Sequence, residues 1–274
     1  MTQHVLTDEE IQKIHKVELE LLIELDRICR KNEIKYSIDG GTLLGAIRNG
    51  GFIPWDDDAD VIMNRSAYTK FKNVIEKELD HNRFYFQDMR NTIGYRWGYG
   101  KLRRKGTSFI RLNQEHMPYE QGIFLDVFVC DNVPDNYLCR CFTNIHSYVY
   151  RKIFYSTVGI YNSRGIKKAF YWALSKIPEE KLKESYYRYV TKRNKKHTSW
   201  TKCLTYPACN NVFGYKREWY EDTIEIMFEG VPLMGARNYD EYLKFLYGDY
   251  MKIPDENKRK THPISKLHIS SEVI

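Results

Sequence analysis

Gly50-Gly51-Phe52-Ile53-Pro54-Trp55-Asp56-Asp57-Asp58-Ala59-Asp60-Val61-Ile62-Met63 sets four carboxylates within five positions, directly before an apolar run. Carboxylates this close repel and raise one another's pKa, so a fold that gathers them needs a cation to neutralise them. Hard divalent ions take carboxylate oxygens, and Mg²⁺ held this way usually shares its shell with substrate phosphates. Val61-Ile62-Met63 reads as a strand that continues from the acids. Residues two apart on an extended segment share a face. Asp58 and Asp60 are therefore expected side by side, able to share a pair of ions roughly 3.5–4 Å apart. Asp56 has the same parity but precedes the strand, where it can orient a metal-bound water or another acid. Asp57 is expected to point away.

Upstream, Tyr36-Ser37-Ile38-Asp39 reads as a short strand ended by a Gly40-Gly41 turn, with Thr42 opening a helix to about Arg48. Glycines let a backbone approach phosphate, and a helix N-terminus favours anions. Before that, Thr7 with Glu10 three residues on is a capping-box pattern. Ile11, Ile14, Val17, Leu21, Leu22 and Leu25 then recur at helical spacing to about Lys31. Downstream, Ser66 is placed to cap a helix to about Glu78. Phe84 to Asp88, Tyr95 to Arg103, Thr107 to Arg111 and Ile123 to Val129 read as strands.

Within the last of these, Asp126 interrupts an apolar strand and would be costly to bury unpaired, so it is expected to complete the metal site. Its alternative is a carboxylate bonded to a cationic side chain or to backbone N–H groups. Lys101 and Arg103, on one strand face, are candidates for offsetting phosphate charge, with Arg104 on the other face; Arg48 is a further candidate. Among the eight histidines there is no zinc spacing, and His262 near the end is the one singled out. No GxxxxGK[ST] loop, GxGxxG turn or Ser-His-Asp arrangement is present.

The chain of 274 residues, with 42% hydrophobic and 15% aromatic residues, has ample material for a core. No window is long and apolar enough for a membrane span. No leader peptide is expected at the start. Six scattered cysteines without a CxxC pair, Cys209 among them, point to reduced thiols and a cytoplasmic setting. The net charge of +7 is unevenly spread: residues 136–202 carry fifteen Lys and Arg against three acids, a local +12, and the remainder is −5. That segment reads as helical, with breaks near Asn162-Ser163-Arg164-Gly165 and Pro178. Its Tyr148, Tyr150, Phe154, Tyr155, Phe170, Tyr171 and Trp172 alternate with Arg151, Lys152, Lys167 and Lys168. Basic, aromatic helices suit peripheral contact with an anionic membrane, here the inner face. Three parts are expected: a catalytic core over 1–135, the basic helical segment 136–202, and 203–274 with strands and a helix packing on the core. A hairpin turning at Glu229-Gly230, a helix from Tyr239 stopped by Gly248, and a loosely held polar tail after Ile253 complete the reading.

Tyr36-Ser37-Ile38-Asp39-Gly40-Gly41-Thr42-Leu43-Leu44-Gly45-Ala46-Ile47-Arg48, followed by Gly51-Phe52-Ile53-Pro54-Trp55-Asp56-Asp57-Asp58-Ala59-Asp60, resembles the LicD family. These are bacterial phosphocholine transferases related to the fukutin-type ribitol-phosphate transferases. The likeness continues at Lys101-Leu102-Arg103, at Gly122 to Phe128 and at Tyr247 to Met251. It implies an α+β fold, nucleotidyltransferase-like, with a small mixed sheet and flanking helices. It further implies Asp58, Asp60 and Asp126 as metal ligands for Mg²⁺ or Mn²⁺, two ions in all, with Gly41 and Thr42 near the donor phosphates. Asp56 and Arg48 match motif positions without an assigned role. The implied donor is CDP-choline or another CDP-alcohol, and the implied acceptor is a cell-surface glycan precursor, lipid-linked in one version. Trp55, Trp97 and Tyr99 are the aromatics nearest the motifs for a choline cage. Two other readings stay open: a nucleotidyltransferase that uses a nucleoside triphosphate and releases pyrophosphate, and a basic nucleic-acid-binding protein. The second leaves the acids idle, so no nucleic acid is expected.

Overall fold

Thr7 opens the first helix as its sequence pattern requires: its hydroxyl accepts from Glu10 N, and the Glu10 carboxylate accepts from Thr7 N at 2.9 Å. The computed structural model describes residues 3–207 and 210–273, so Cys209 lies outside the described residues. In chain order the elements are α1 (Asp8–Lys31), β1 (Ser37–Ile38), α2 (Gly40–Asn49), β2 (Ala59–Asn64), α3 (Arg65–Glu78), β3 (Phe84–Gln87), β4 (Gly100–Arg104), β5 (Thr107–Arg111) and β6 (Phe124–Val133). Then come α4 (Tyr137–Phe154), α5 (Ser156–Gly159), α6 (Gly165–Ser175), α7 (Glu179–Arg193), β7 (Trp200–Lys202), β8 (Tyr215–Lys216) and α8 (Glu218–Glu221). The chain closes with β9 (Thr223–Phe228), β10 (Val231–Ala236), α9 (Tyr239–Tyr247) and β11 (Ile264–Ile269).

The fold is α+β. Among the described residues a nine-stranded mixed sheet runs β3-β4-β6-β2-β1-β10-β9, with β7 beside β6 and β8 beside β7. β2 lies parallel to β6 and β1 parallel to β10; the other pairings are antiparallel. β6 is buried along its whole length, as a strand covered on both faces should be. The apolar stripe of α1, with Leu21, Leu22, Leu25 and Ile28 fully buried, closes one side of the core. The β9–β10 hairpin turns at Glu229 (φ +49°) and Gly230 (φ +76°), two left-handed residues that match the strand twist.

Four local expectations are corrected. Gly40 and Gly41 are not a turn ahead of a helix; they are its first two residues, and Gly40 takes φ +52°. Asn64, not Ser66, caps α3: its side-chain oxygen accepts from Ala67 N at 2.9 Å and from the Ser66 hydroxyl at 2.7 Å. The strand expected from Tyr95 begins only at Gly100, because Thr92 to Tyr99 forms turns and irregular chain. The polar tail is not loose. Its β11 pairs antiparallel with β5, and the fully buried Ile264 joins a small cluster with Ile14, Val17, Phe109, Ile123 and Phe124.

Candidate active site

Strand register brings the chemistry together. Asp60 on β2 lies directly opposite Asp126 on β6, and Asp126 lies directly opposite Lys101 on β4. Asp39, just past β1, donates its N–H to Asp60 O at 3.0 Å. One row thus crosses the sheet as Lys101, Asp126, Asp60 and Asp39, and directly opposed side chains on a sheet face are neighbours. Lys101 is buried and forms an ion pair with Asp126, its ammonium 3.4 Å from the Phe124 ring centroid. Burial outweighs the Asp126 charge and brings the Lys101 pKa down to about 8.

Asp58 enters this row from the chain just before β2. Burial raises its pKa, opposed first by His262, with Asp57 and Asp126 adding to the rise. Asp60 is pushed well up by burial and then by Asp58 and Asp126. Asp56 reaches about 8 through burial and the nearby Asp58. Asp39 reaches about 6 by burial, even though the Tyr242 hydroxyl donates to it at 2.6 Å.

Asp57, expected to point away, instead has its carboxylate close to that of Asp58 and faces His262. Its carboxylate accepts from His262 N at 2.8 Å and lies 3.2 Å from His262 Nδ1; Asp58 lies 3.5 Å from the same nitrogen. Among the described residues Asp57, Asp58 and His262 form a trio that can hold a metal, with ligand atoms within 4.8 Å of one another. Asp60 and Asp126 stand outside it. Against this crowd of carboxylates the chain sets chiefly Lys101 and His262. Asp60 Oδ1 is buried with no hydrogen-bond partner. Unpaired carboxylate oxygen in such surroundings is costly without a cation, so the donor set fits a hard divalent ion.

The glycines serve the acids by their lack of a side chain. A Cβ on Gly41 would lie 2.5 Å from Asp56 Oδ2, and one on Gly40 would lie 3.5 Å from Asp60 Oδ2. Thr42 turns its hydroxyl to Asp60 N, accepting at 2.8 Å, and so fixes the start of β2. Arg48, at the end of α2, donates to Tyr250 O at 3.2 Å and stacks over Trp55 from 5.9 Å. Arg259 covers Trp55 from 4.3 Å. That indole therefore already faces two guanidinium groups. Arg103 is buried and tied to Gln87 Oε1 (2.9 Å) and Gly122 O (2.7 Å), while Arg104 on the opposite face bonds Glu20.

Two cavities flank the row. One of about 210 Å³ is lined by Asp58, Asp126, Lys101, Arg103, Trp97 and Tyr99, with Arg111 and His262 at its wall. The other, about 250 Å³, is lined by Asp39, Gly40, Gly41 and Asp60 and by Tyr215, Tyr220, Tyr242 and Tyr247. Tyr206 borders both. Sequence reasoning missed Glu18, Asp39, Arg111 and this tyrosine wall. Glu18, on α1, is buried with Oε2 unpartnered, and burial followed by the Asp58 charge holds its pKa well above the ordinary value. A signal was present: Glu18 falls four residues after Ile14 and three before Leu21, inside the apolar stripe.

Residues 33–147 match the family model described as LicD/FKTN/FKRP, nucleotidyltransferase domain. That span holds α2, the acid loop, Lys101 and Asp126, but not His262. A lipopolysaccharide cholinephosphotransferase LicD of Haemophilus influenzae is 28% identical over 258 residues, covering 92% of this chain and 95% of that protein. An uncharacterized protein of Rickettsia prowazekii is 24% identical over 162 residues, 57% of this chain and 55% of its own length.

Proposed function

We propose, from the premise that the chain belongs to the LicD/FKTN/FKRP nucleotidyltransferase-domain family, that it transfers an alcohol phosphate from a CDP-activated donor to a glycan hydroxyl. Phosphocholine is the first choice of transferred group, because the relative that spans nearly all of this chain carries cholinephosphate transfer in its name. The observation that carries the reading is the in-register row of Asp60, Asp126 and Lys101, with Asp58 beside it. A glycan or a nucleotide alone gives no reason to bury so many acids; a cation bound with phosphates does.

In this reading the acceptor hydroxyl attacks the phosphorus that bears the alcohol. The new P–O bond gives a phosphodiester, the bond to CMP breaks, and Asp126 takes the hydroxyl proton. Asp58, Asp60 and Asp126 would hold Mg²⁺ or Mn²⁺, which supplies positive charge for the attacking and leaving oxygens. Lys101, fixed against Asp126, sets that carboxylate's direction. Arg103 and Arg111 give the neighbouring cavity a positive wall for phosphate oxygens. His262 latches the acid loop through Asp57. Trp97 lines the first cavity as an aromatic contact for a quaternary ammonium, whereas Tyr99 already carries the Lys101 ammonium over its ring at 5.7 Å, and the tyrosines of the second cavity offer another contact.

The test is a donor screen in Mg²⁺ with CDP-choline, CDP-ribitol, CDP-glycerol and plain nucleoside triphosphates, followed by product analysis. CMP release from one CDP-alcohol is expected. Pyrophosphate release from a triphosphate, with every CDP-alcohol inert, would replace this reading with nucleotidyl transfer.

A further inference from the structure

Helix α4 is amphipathic the wrong way round for a water-facing surface. Toward the protein it turns Arg140, Thr143, Ser147, Tyr150 and Phe154. Toward solvent it turns Leu138 (66% exposed), Phe142 (71%), Ile145 (60%) and Val149 (48%). Those four fall at i, i+4, i+7 and i+11, one continuous stripe. Helix α6 repeats the pattern: it buries Tyr171 and exposes Ile166, Phe170 and Trp172. The two helices are joined by Lys152 Nζ donating to Tyr171 Oη at 3.4 Å. The aromatic set named from sequence is thus partly wrong. Tyr150, Phe154 and Tyr171 are core, and aliphatic side chains lead the exposed face.

Beside this face a cavity of about 880 Å³ opens between α4 and α7, bordered by His146, Arg188, Lys192, Arg193, Lys195 and Lys196. None of those five Lys and Arg side chains is in an ion pair among the described residues. Arg193 lies over the Tyr189 ring at 5.3 Å. Because His146 of α4 borders this cavity, the apolar stripe adjoins a group of cations without ion pairs among the described residues, within the segment of net charge +12. No helix among the described residues is long and apolar enough to cross a membrane.

We propose that α4, α6 and α7 form a peripheral docking surface for an anionic lipid bilayer. Phe142 and Ile145 enter the acyl boundary, and the α7 basic groups meet lipid phosphates. A helix lying in the interface with an apolar face down and cations around it gains from both burial and electrostatics. Charge decides against a second copy of the chain as the occupant, since two such basic faces repel. The proposal goes beyond the transferase reading and does not depend on it.

Cosedimentation of the full chain with phosphatidylglycerol or phosphatidylcholine vesicles tests it, without reference to donor or product. Binding to phosphatidylglycerol is expected, weakened by salt, with at least a tenfold preference over phosphatidylcholine. Phe142→Asp with Ile145→Asp should lower binding tenfold or more at unchanged Tm, because both side chains are exposed. Lys192→Glu with Arg193→Glu should remove the lipid-charge preference. Binding unaltered by both pairs, or no binding of the parent chain, overturns the proposal. So does a dimer in light scattering that Phe142→Asp with Ile145→Asp converts to monomer.

Discussion

Asp60 is held by its neighbours more tightly than any single acid in the opening motif would indicate. Thr42 fixes its N–H, Asp39 caps its carbonyl, and Asp126 lies across the strand pair. Asp60→Asn and Asp58→Asn should each lower turnover by about 10²–10³-fold or more, as loss of groups that stabilise developing charge does. In EDTA neither variant should melt below the parent, since each relieves crowding among like charges. Near-normal transfer by either, in metal-containing buffer, removes it from the metal site. Gly41→Ala tests the close approach of α2. The added Cβ must displace Asp56 Oδ2, 2.5 Å away. A shift of about 1 Å near reacting groups can cost about 10²-fold, so a large fall in kcat with a stability loss of only about 1–3 kcal/mol is expected.

At the scale of elements, α1 and β11 support the site from opposite ends of the chain. α1 brings Glu18 beneath the acid loop and His15 to Asp56 O at 2.7 Å. Because burial and the nearby Asp58 hold the Glu18 carboxyl well above its ordinary 4.5, it keeps its proton over a pH range above 4.5 in which the unfolded chain has released it. Stability from this group is therefore lost as pH rises past the unfolded value and is intact below it. Glu18→Gln should raise Tm by a few degrees at pH 7.5 in EDTA, and the difference should vanish by about pH 4. An equal gain at both pH values would show that charge is not the cause. β11, paired with β5, places His262 against Asp57 and Asp58. His262→Ala should weaken Mn²⁺ affinity, read by thermal shift against metal concentration, by about 10–100-fold. Unchanged affinity would leave His262 as a structural latch alone.

Across the whole molecule the acid row is the seam between two cavities. The smaller is walled by the β4–β6 side and the tail, the other by tyrosines of β8, α8 and α9, and Tyr206 borders both. With the donor in one cavity and the acceptor in the other, as an extension of the proposed transfer, Tyr206→Ala should raise KM for both together; a rise for one substrate alone would assign the tyrosine to a single cavity. Much of this arrangement was legible locally. The Thr7–Glu10 box, the α1 stripe, the apolar β6 interrupted by Asp126 and the Glu229-Gly230 hairpin all follow from short-range rules of cap, period and turn. By itself the sequence determined these elements and the gathering of acid ahead of β2. Only the tertiary structure decided which groups meet: that Lys101 answers Asp126, that Asp57 turns to His262 rather than to empty space, that Glu18 joins the acids, and that α4 faces outward with its apolar side. Each of those is a contact between residues far apart in the chain or a choice of which helix face is covered. Periodicity along one segment carries no information about what other segments will lie against it.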